Sequence, residues 1–93
     1  MNFVIIQKRG CPHSQQAMKS ATQLRKMGLI RAVTSYYKDT VTGKKSLLRY
    51  KKRIPKTHKT YPIILANTHV GGTYRFVGGN AEFQKWILRH FGL

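Results

Sequence analysis

The sequence predicts a single α/β domain over residues 1–93, with a four-stranded mixed sheet flanked by about three helices. Two observations support this fold class. Apolar, β-branched runs alternate with stretches whose apolar residues recur every three or four positions, which are the periods of strands and helices. A chain of 93 residues can form one core between two layers and is too short for two domains. The predicted order is strand, helix, strand, helix, strand, strand, helix.

The first three elements have clear boundaries. Residues 3–7 form a continuous apolar run that ends at charged residues and Gly10, as expected for a strand buried on both faces. Residues 12–27 have helical spacing, and Gly28 can end this helix in the left-handed conformation. Residues 32–37 predict a second strand, parallel to the first because a helix connects them. The apolar face of the helix is predicted at Ala17, Met18, Ala21, Leu24 and Met27.

Residues 39–59 allow two interpretations. Residues 41–44, Val-Thr-Gly-Lys, could turn a hairpin. Alternatively, a helix ends before Pro55, and this is the interpretation we prefer. The predicted apolar face of this helix consists of Leu47, Leu48, Lys51 and Ile54.

The last third of the chain predicts an antiparallel pair of strands and a helix. Residues 62–66 form the third strand, and the Tyr61-Pro62 peptide bond could be cis. A long turn at residues 67–73, with His69 as a turn residue, leads to a fourth strand at residues 74–77. Asn80 is predicted to cap the final helix, with Glu82 in its first turn. The apolar face of that helix is predicted at Phe83, Trp86, Ile87 and Phe91.

Cys11 is the only cysteine, and it stands between the first strand and the start of a helix. Pro12 suits the first helical position, so Cys11 would lie at the helix N-terminus, where the macrodipole favours a thiolate. Lys8 and Arg9 add positive charge nearby. The alternative is an inert, buried small side chain.

One thiol permits no intramolecular disulfide, and residues 1–6 are too short for a signal peptide or membrane span, so we expect a cytoplasmic protein.

Positive charge dominates the composition. Eighteen Lys and Arg residues stand against Asp39 and Glu82, a formal net charge of +16. Such a chain attracts anions, including nucleic acid, acidic proteins and small carboxylates. A solvated face without a partner is the alternative, although Tyr50 within this segment could stack on single-stranded bases. Eight of the cations lie close together in sequence: Lys44, Lys45, Arg49, Lys51, Lys52, Arg53, Lys56 and Lys59.

Three short segments, in this order, resemble motifs of the glutaredoxins, a family with the thioredoxin fold. Residues 8–14, Lys-Arg-Gly-Cys-Pro-His-Ser, resemble Lys-x-x-Cys-Pro-Tyr-Cys or its Cys-x-x-Ser form. Residues 60–62, Thr-Tyr-Pro, resemble Thr-Val-Pro, whose proline is cis in the family. Residues 76–83 resemble the Gly-Gly stretch at the start of the last helix. The resemblance implies a thioredoxin-like (glutaredoxin) fold and reduction of glutathione mixed disulfides.

The resemblance also implies a glutathione site, with glutathione as co-substrate. Cys11 would be the nucleophile, and Lys8 would stabilise its thiolate or meet a glutathione carboxylate. The backbone of Tyr61, beside a cis Pro62, would pair with the cysteinyl part, and the γ-glutamyl end would lie at the N-terminus of the last helix. Catalytic positions are Lys8, Cys11, Pro12, His13 and Ser14. Glutathione-binding positions are Lys8, Tyr61, Pro62, Gly78, Gly79, Asn80 and Ala81.

Several departures from the family pattern refine this expectation. Ser14 replaces the second cysteine, which leaves a monothiol cycle that needs external glutathione. His13 replaces a tyrosine and could tune the thiolate, serve a structural role or face solvent. Pro12 stands where members that bind an iron–sulfur cluster usually have glycine, which argues against a cluster. We expect a monomer without metal.

The alternative function is a glutaredoxin-like domain recruited as a basic nucleic-acid-binding or scaffold protein with little redox turnover.

Overall fold

The computed structural model describes residues 1–67 and 72–92. Its helices and strands follow the predicted order, and the helix rather than the hairpin is confirmed for the middle segment. A short 3₁₀ turn, Lys51–Arg53, extends that helix. The elements are β1 (Asn2–Gln7), α1 (Pro12–Lys26), β2 (Ala32–Tyr37), α2 (Val41–Tyr50), β3 (Ile63–Asn67), β4 (Arg75–Gly78) and α3 (Asn80–Phe91).

The four strands form one mixed sheet in the order β2-β1-β3-β4. β1 runs parallel to β2 and antiparallel to β3, and β3 pairs antiparallel with β4. Both predicted strand pairs are therefore confirmed. β1 and β3 occupy the centre of the sheet, which explains why the sequence of each reads as a nearly continuous apolar run.

Two apolar clusters cover the two faces of this sheet. Successive side chains of a strand point to opposite faces, so Phe3 and Ile5 join one cluster while Val4 and Ile6 join the other. The first cluster includes residues of α1 and α3, and the second includes Tyr50 of α2. The sheet therefore lies between α1 and α3 on one side and α2 on the other.

Helix α2 begins and faces differently from the prediction. It starts at Val41 and includes residues 41–44, with the Thr40 side chain accepting a hydrogen bond from the Gly43 N–H at 3.0 Å as its N-cap. The helix buries Gly43, Ser46 and Tyr50, whereas Leu48 is 72% exposed. The predicted apolar face is therefore wrong at Leu48 and at the exposed Lys51, because Gly43, Ser46 and Tyr50, three and four residues apart, form the side that packs on the sheet.

Two smaller expectations also change, at the end of α1 and the start of α3. Met27, placed on the buried face of α1, is 52% exposed, since α1 ends at Lys26 and Gly28 follows with φ +76°. Gly79 rather than Asn80 is the N-cap of α3. Most of the predicted turn at residues 67–73, including His69, lies outside the described residues. Within the described ranges, no helix combines the length and apolar character needed to cross a membrane.

Candidate thiol site

Cys11 is the N-cap residue of α1, and Pro12 is the first residue of that helix. The Cys11 thiol is partly exposed and donates a weak hydrogen bond to the carbonyl oxygen of Tyr61, with Sγ and O 3.8 Å apart. The Tyr61-Pro62 peptide bond is cis, as predicted. The Cys11 sulfur therefore lies between a helix N-terminus and the cis-proline loop, and the two residues that meet there, Cys11 and Tyr61, are 50 positions apart in sequence.

Ser14 supports the thiol from within the first turn of α1. Its side chain is fully buried, and its Oγ accepts a hydrogen bond from the Lys8 N–H at 3.2 Å. The backbone and hydroxyl of Ser14 lower the pKa of the Cys11 thiol, and the His13 backbone and the Lys8 charge act in the same direction. These contacts outweigh the opposing effect of burial. Ser14 therefore does more than occupy the position of a second cysteine, because it stabilises the thiolate.

The start of α3 adjoins the cis-proline loop. A β-carbon placed on Gly79 would lie 3.7 Å from the Pro62 carbonyl oxygen, in ordinary contact. The Gly79 N–H donates to the Glu82 carboxylate at 3.1 Å. Glu82 therefore accepts a hydrogen bond from a backbone N–H at the N-terminus of α3, as its position in the first turn predicts. The structure thus brings the three motif segments together.

Asn80 has a structural side chain. Its amide donates to the Gln16 side chain at 2.7 Å, and its oxygen accepts from the Gln84 side chain at 3.1 Å. The bond to Gln16 joins α3 to α1, the bond to Gln84 lies within α3, and together they use both ends of the buried amide. The Asn80 side chain is therefore engaged within the fold. The neighbouring Ala81 is exposed, as are Pro12 and His13 beside the thiol.

Two residues near the site were not predicted from sequence. The Lys38 ammonium lies 5.5 Å from the centre of the Tyr61 ring, which places a cation beside the cis-proline loop. The His58 ring lies 3.6 Å from the position of a β-carbon on Gly79, and its buried Nε2 has no hydrogen-bond partner among the described residues. Neither belongs to a recognisable motif. Only the pairing of distant segments brings them to the site.

The predicted basic residues of α2 and the segment after it are all exposed. Neither acidic side chain is near enough to neutralise them in the part of the chain that the structure describes. Asp39 forms an exposed salt bridge with Arg9 at 3.1 Å, and Glu82 caps α3. Tyr50, however, is buried and packs edge-on against Tyr74, with ring centres 5.6 Å apart. The expectation that Tyr50 stacks on nucleic-acid bases is therefore wrong.

Within residues 1–67 and 72–92, no group of three or more His, Cys, Asp or Glu residues could hold a metal ion.

Comparison with known proteins identifies the fold. No family model matches the sequence, and no curated protein matches it. The structure of reduced Escherichia coli glutaredoxin is similar at a TM-score of 0.75 and 20% identity, with 100% of each chain covered. Oxidised E. coli glutaredoxin is similar at a TM-score of 0.73 and 21% identity, again over 100% of each chain. At these identities the likeness establishes the fold, so this chain has the thioredoxin-like fold of the glutaredoxins.

Proposed function

We propose that this protein is a monothiol, glutathione-dependent thiol–disulfide oxidoreductase that reduces glutathione mixed disulfides. The position of Cys11 is the observation that carries the proposal. Its thiol combines a lowered pKa, a helix N-terminus and the adjacent carbonyl of Tyr61, the residue before the cis proline, at 3.8 Å. A thiolate is the attacking form in disulfide exchange, so these features suit a nucleophile better than an inert side chain.

The chemistry needs two exchanges. The Cys11 thiolate attacks the glutathione sulfur of a protein–glutathione disulfide, forming a Cys11–glutathione disulfide while the protein sulfur leaves as a thiolate and takes a proton from water. A second glutathione thiolate then attacks the glutathione sulfur on Cys11. Oxidised glutathione leaves, and the Cys11 thiolate returns. Because Ser14 cannot form a disulfide, external glutathione is required in every cycle.

The residues around the thiol suggest how glutathione would bind. The Tyr61 backbone would pair with its cysteinyl part as an added strand. Its γ-glutamyl carboxylate would meet the backbone N–H groups of Asn80 and Ala81 at the N-terminus of α3. Lys8 and Lys38 would attract the carboxylate at the opposite end. Lys38 was not among the sequence-predicted binding residues, and its place over the Tyr61 ring supports this addition.

The proposal is tested by measuring the oxidised glutathione released from a small glutathione mixed disulfide, with glutathione reductase and NADPH as the coupling system. We expect turnover by the natural protein and background rates for Cys11→Ser. Circular dichroism of the variant provides the control for folding. Absence of turnover in the natural protein, or equal rates in the two proteins, would refute the proposal.

Nucleic-acid binding is the second candidate function. It is favoured by the eight exposed cations, none of which faces an acidic side chain among the described residues. Affinity for an oligonucleotide would then fall by about 0.9 log unit per log unit of salt for each phosphate neutralised. No binding at low salt would contradict this candidate. With Tyr50 buried, the candidate rests on charge, which does not distinguish nucleic acid from other polyanions.

A further inference from the structure

A groove of about 420 Å³ opens beside the cis-proline loop, on the face of the sheet covered by α2. Its floor is mainly aliphatic, and Leu48 projects at its side with 72% of its surface exposed. Two lysines, one on the 3₁₀ turn and one in the segment after it, also line the groove. The lining includes Leu48, Lys51, Ile54, Lys56, His58 and Tyr61.

The groove is continuous with the candidate thiol site through Tyr61. Tyr61 lines the groove, and its carbonyl oxygen lies 3.8 Å from the Cys11 sulfur. A polypeptide whose cysteine is joined to glutathione at Cys11 could therefore extend directly into the groove. A pocket on another part of the surface would not offer this connection.

The lining distinguishes between two kinds of anionic occupant. Single-stranded nucleic acid binds through aromatic platforms on which successive bases stack. Here Tyr61 and His58 are the two aromatic residues in the lining, and the His58 ring already packs against Phe76, with ring centres 4.9 Å apart. The other lining residues are aliphatic or cationic, so the groove has no row of aromatic platforms. Aliphatic side chains with adjacent cations complement a polypeptide that carries apolar and acidic residues. The observations therefore favour an acidic polypeptide.

We propose that this groove binds the polypeptide part of the substrate and that Lys51 and Lys56 select substrates with acidic residues near the glutathionylated cysteine. The proposal rests on the proposed function and adds a substrate class to it. Both lysines are exposed and have no acidic partner in the described parts of the chain, so their charge is available to an incoming carboxylate. Leu48 would contact an apolar side chain of the same polypeptide.

The experiment uses two glutathionylated peptides that share a leucine near the cysteine and differ only in flanking aspartates or lysines. A small glutathione mixed disulfide serves as the reference substrate. We expect the natural protein to prefer the acidic peptide. Lys51→Gln/Lys56→Gln should lower kcat/KM for that peptide by about three- to tenfold, or about 0.7–1.4 kcal/mol, with the reference rate unchanged.

Matched variants separate the groove from the general positive charge. Lys44→Gln/Lys45→Gln removes the same charge from α2 outside the groove and should leave the preference unchanged. Leu48→Ala should weaken turnover of the acidic peptide, whereas Val41→Ala, which removes a side chain of similar exposure (70%) from the same helix, should not.

The proposal would be overturned if the natural protein turned over the two peptides at equal rates, or if both pairs of lysine substitutions lowered turnover of the acidic peptide equally. It would also be overturned if Lys51→Gln/Lys56→Gln lowered turnover of the reference substrate equally, since the lysines would then bind glutathione itself. A single-stranded oligonucleotide that binds the groove more tightly than the acidic peptide would also overturn it. Binding of fluorescent peptides to Cys11→Ser, measured by anisotropy, tests the groove without turnover. Failure of the groove proposal is thereby distinguished from failure of the proposed function.

Discussion

Replacing Gly78 with alanine tests the backbone geometry that places α3 against the cis-proline loop. Gly78 ends β4 opposite Ile64 and has φ +136°, a conformation that L side chains rarely adopt. A β-carbon there would lie 2.6 Å from the Glu82 Cβ and 2.7 Å from its Cγ. Because the Glu82 Cβ is held by the helix backbone, it cannot rotate out of the way.

Two costs contribute to the expected loss of stability. A residue held in such a backbone conformation costs about 1–3 kcal/mol. Displacing Glu82 breaks its bond to the Gly79 N–H, and losing a helix cap costs about 1 kcal/mol. We therefore expect Gly78→Ala to lower the free energy of unfolding by about 2–4 kcal/mol.

Equilibrium unfolding in urea, followed by the fluorescence of Trp86, measures this loss. Trp86 is the only tryptophan and packs edge-on against Phe3, with ring centres 5.0 Å apart, so it reports on the core. Gly28→Ala provides one control, because Gly28 has φ +76° but no neighbouring atom within 4 Å. Its expected cost of about 1–2 kcal/mol is conformational alone.

A second control is Gly79→Ala, at φ −91° with neighbours no nearer than 3.6 Å. Because Gly79 is the N-cap of α3, where alanine is less favourable than glycine, this variant should lose at most about 1 kcal/mol. If Gly78→Ala loses no more stability than Gly28→Ala, the crowding against Glu82 is absent and the reasoning is wrong.

Three further predictions concern single side chains. Ser14→Ala should raise the pKa of the Cys11 thiol, because the Ser14 hydroxyl lowers it. The rate of Cys11 alkylation, which increases as the thiolate forms, should then rise at higher pH than in the natural protein. An unchanged pH profile would contradict the assigned role of the hydroxyl. Gly43→Ala would bring a β-carbon into overlap with the Tyr37 carbonyl, and a urea midpoint no lower than that of the natural protein would exclude this crowding. Asn80→Ala should lower the free energy of unfolding by about 1–2 kcal/mol, because it removes two side-chain hydrogen bonds. The KM for glutathione should not change, because only the Asn80 backbone is proposed to bind. A raised KM would show a direct contact between the side chain and glutathione.

Much of the fold could be predicted because its signals are local. The apolar run of β1, the helical spacing of α1 and the left-handed Gly28 each depend on residues within a few positions. The middle of the chain was harder. Gly43 reads as a turn residue, yet it lies inside α2 because the absence of a side chain lets the helix approach the Tyr37 carbonyl. That requirement comes from packing between elements and leaves no periodic signal.

The sequence by itself determined which group could react. Cys11, followed by Pro12 at the start of a helix, specifies a thiol with a favoured thiolate, because the helix terminus and the nearby charges are set by adjacent residues. Through the family resemblance, the sequence also implied that the Tyr61 backbone belongs to the same site. Only the tertiary structure decided the distance from the thiol to the Tyr61 carbonyl, the place of Lys38 over the Tyr61 ring and the groove beside α2, which depend on the pairing of β1 with β2 and β3. Such contacts join residues far apart in the chain, and their distances depend on how the whole sheet packs.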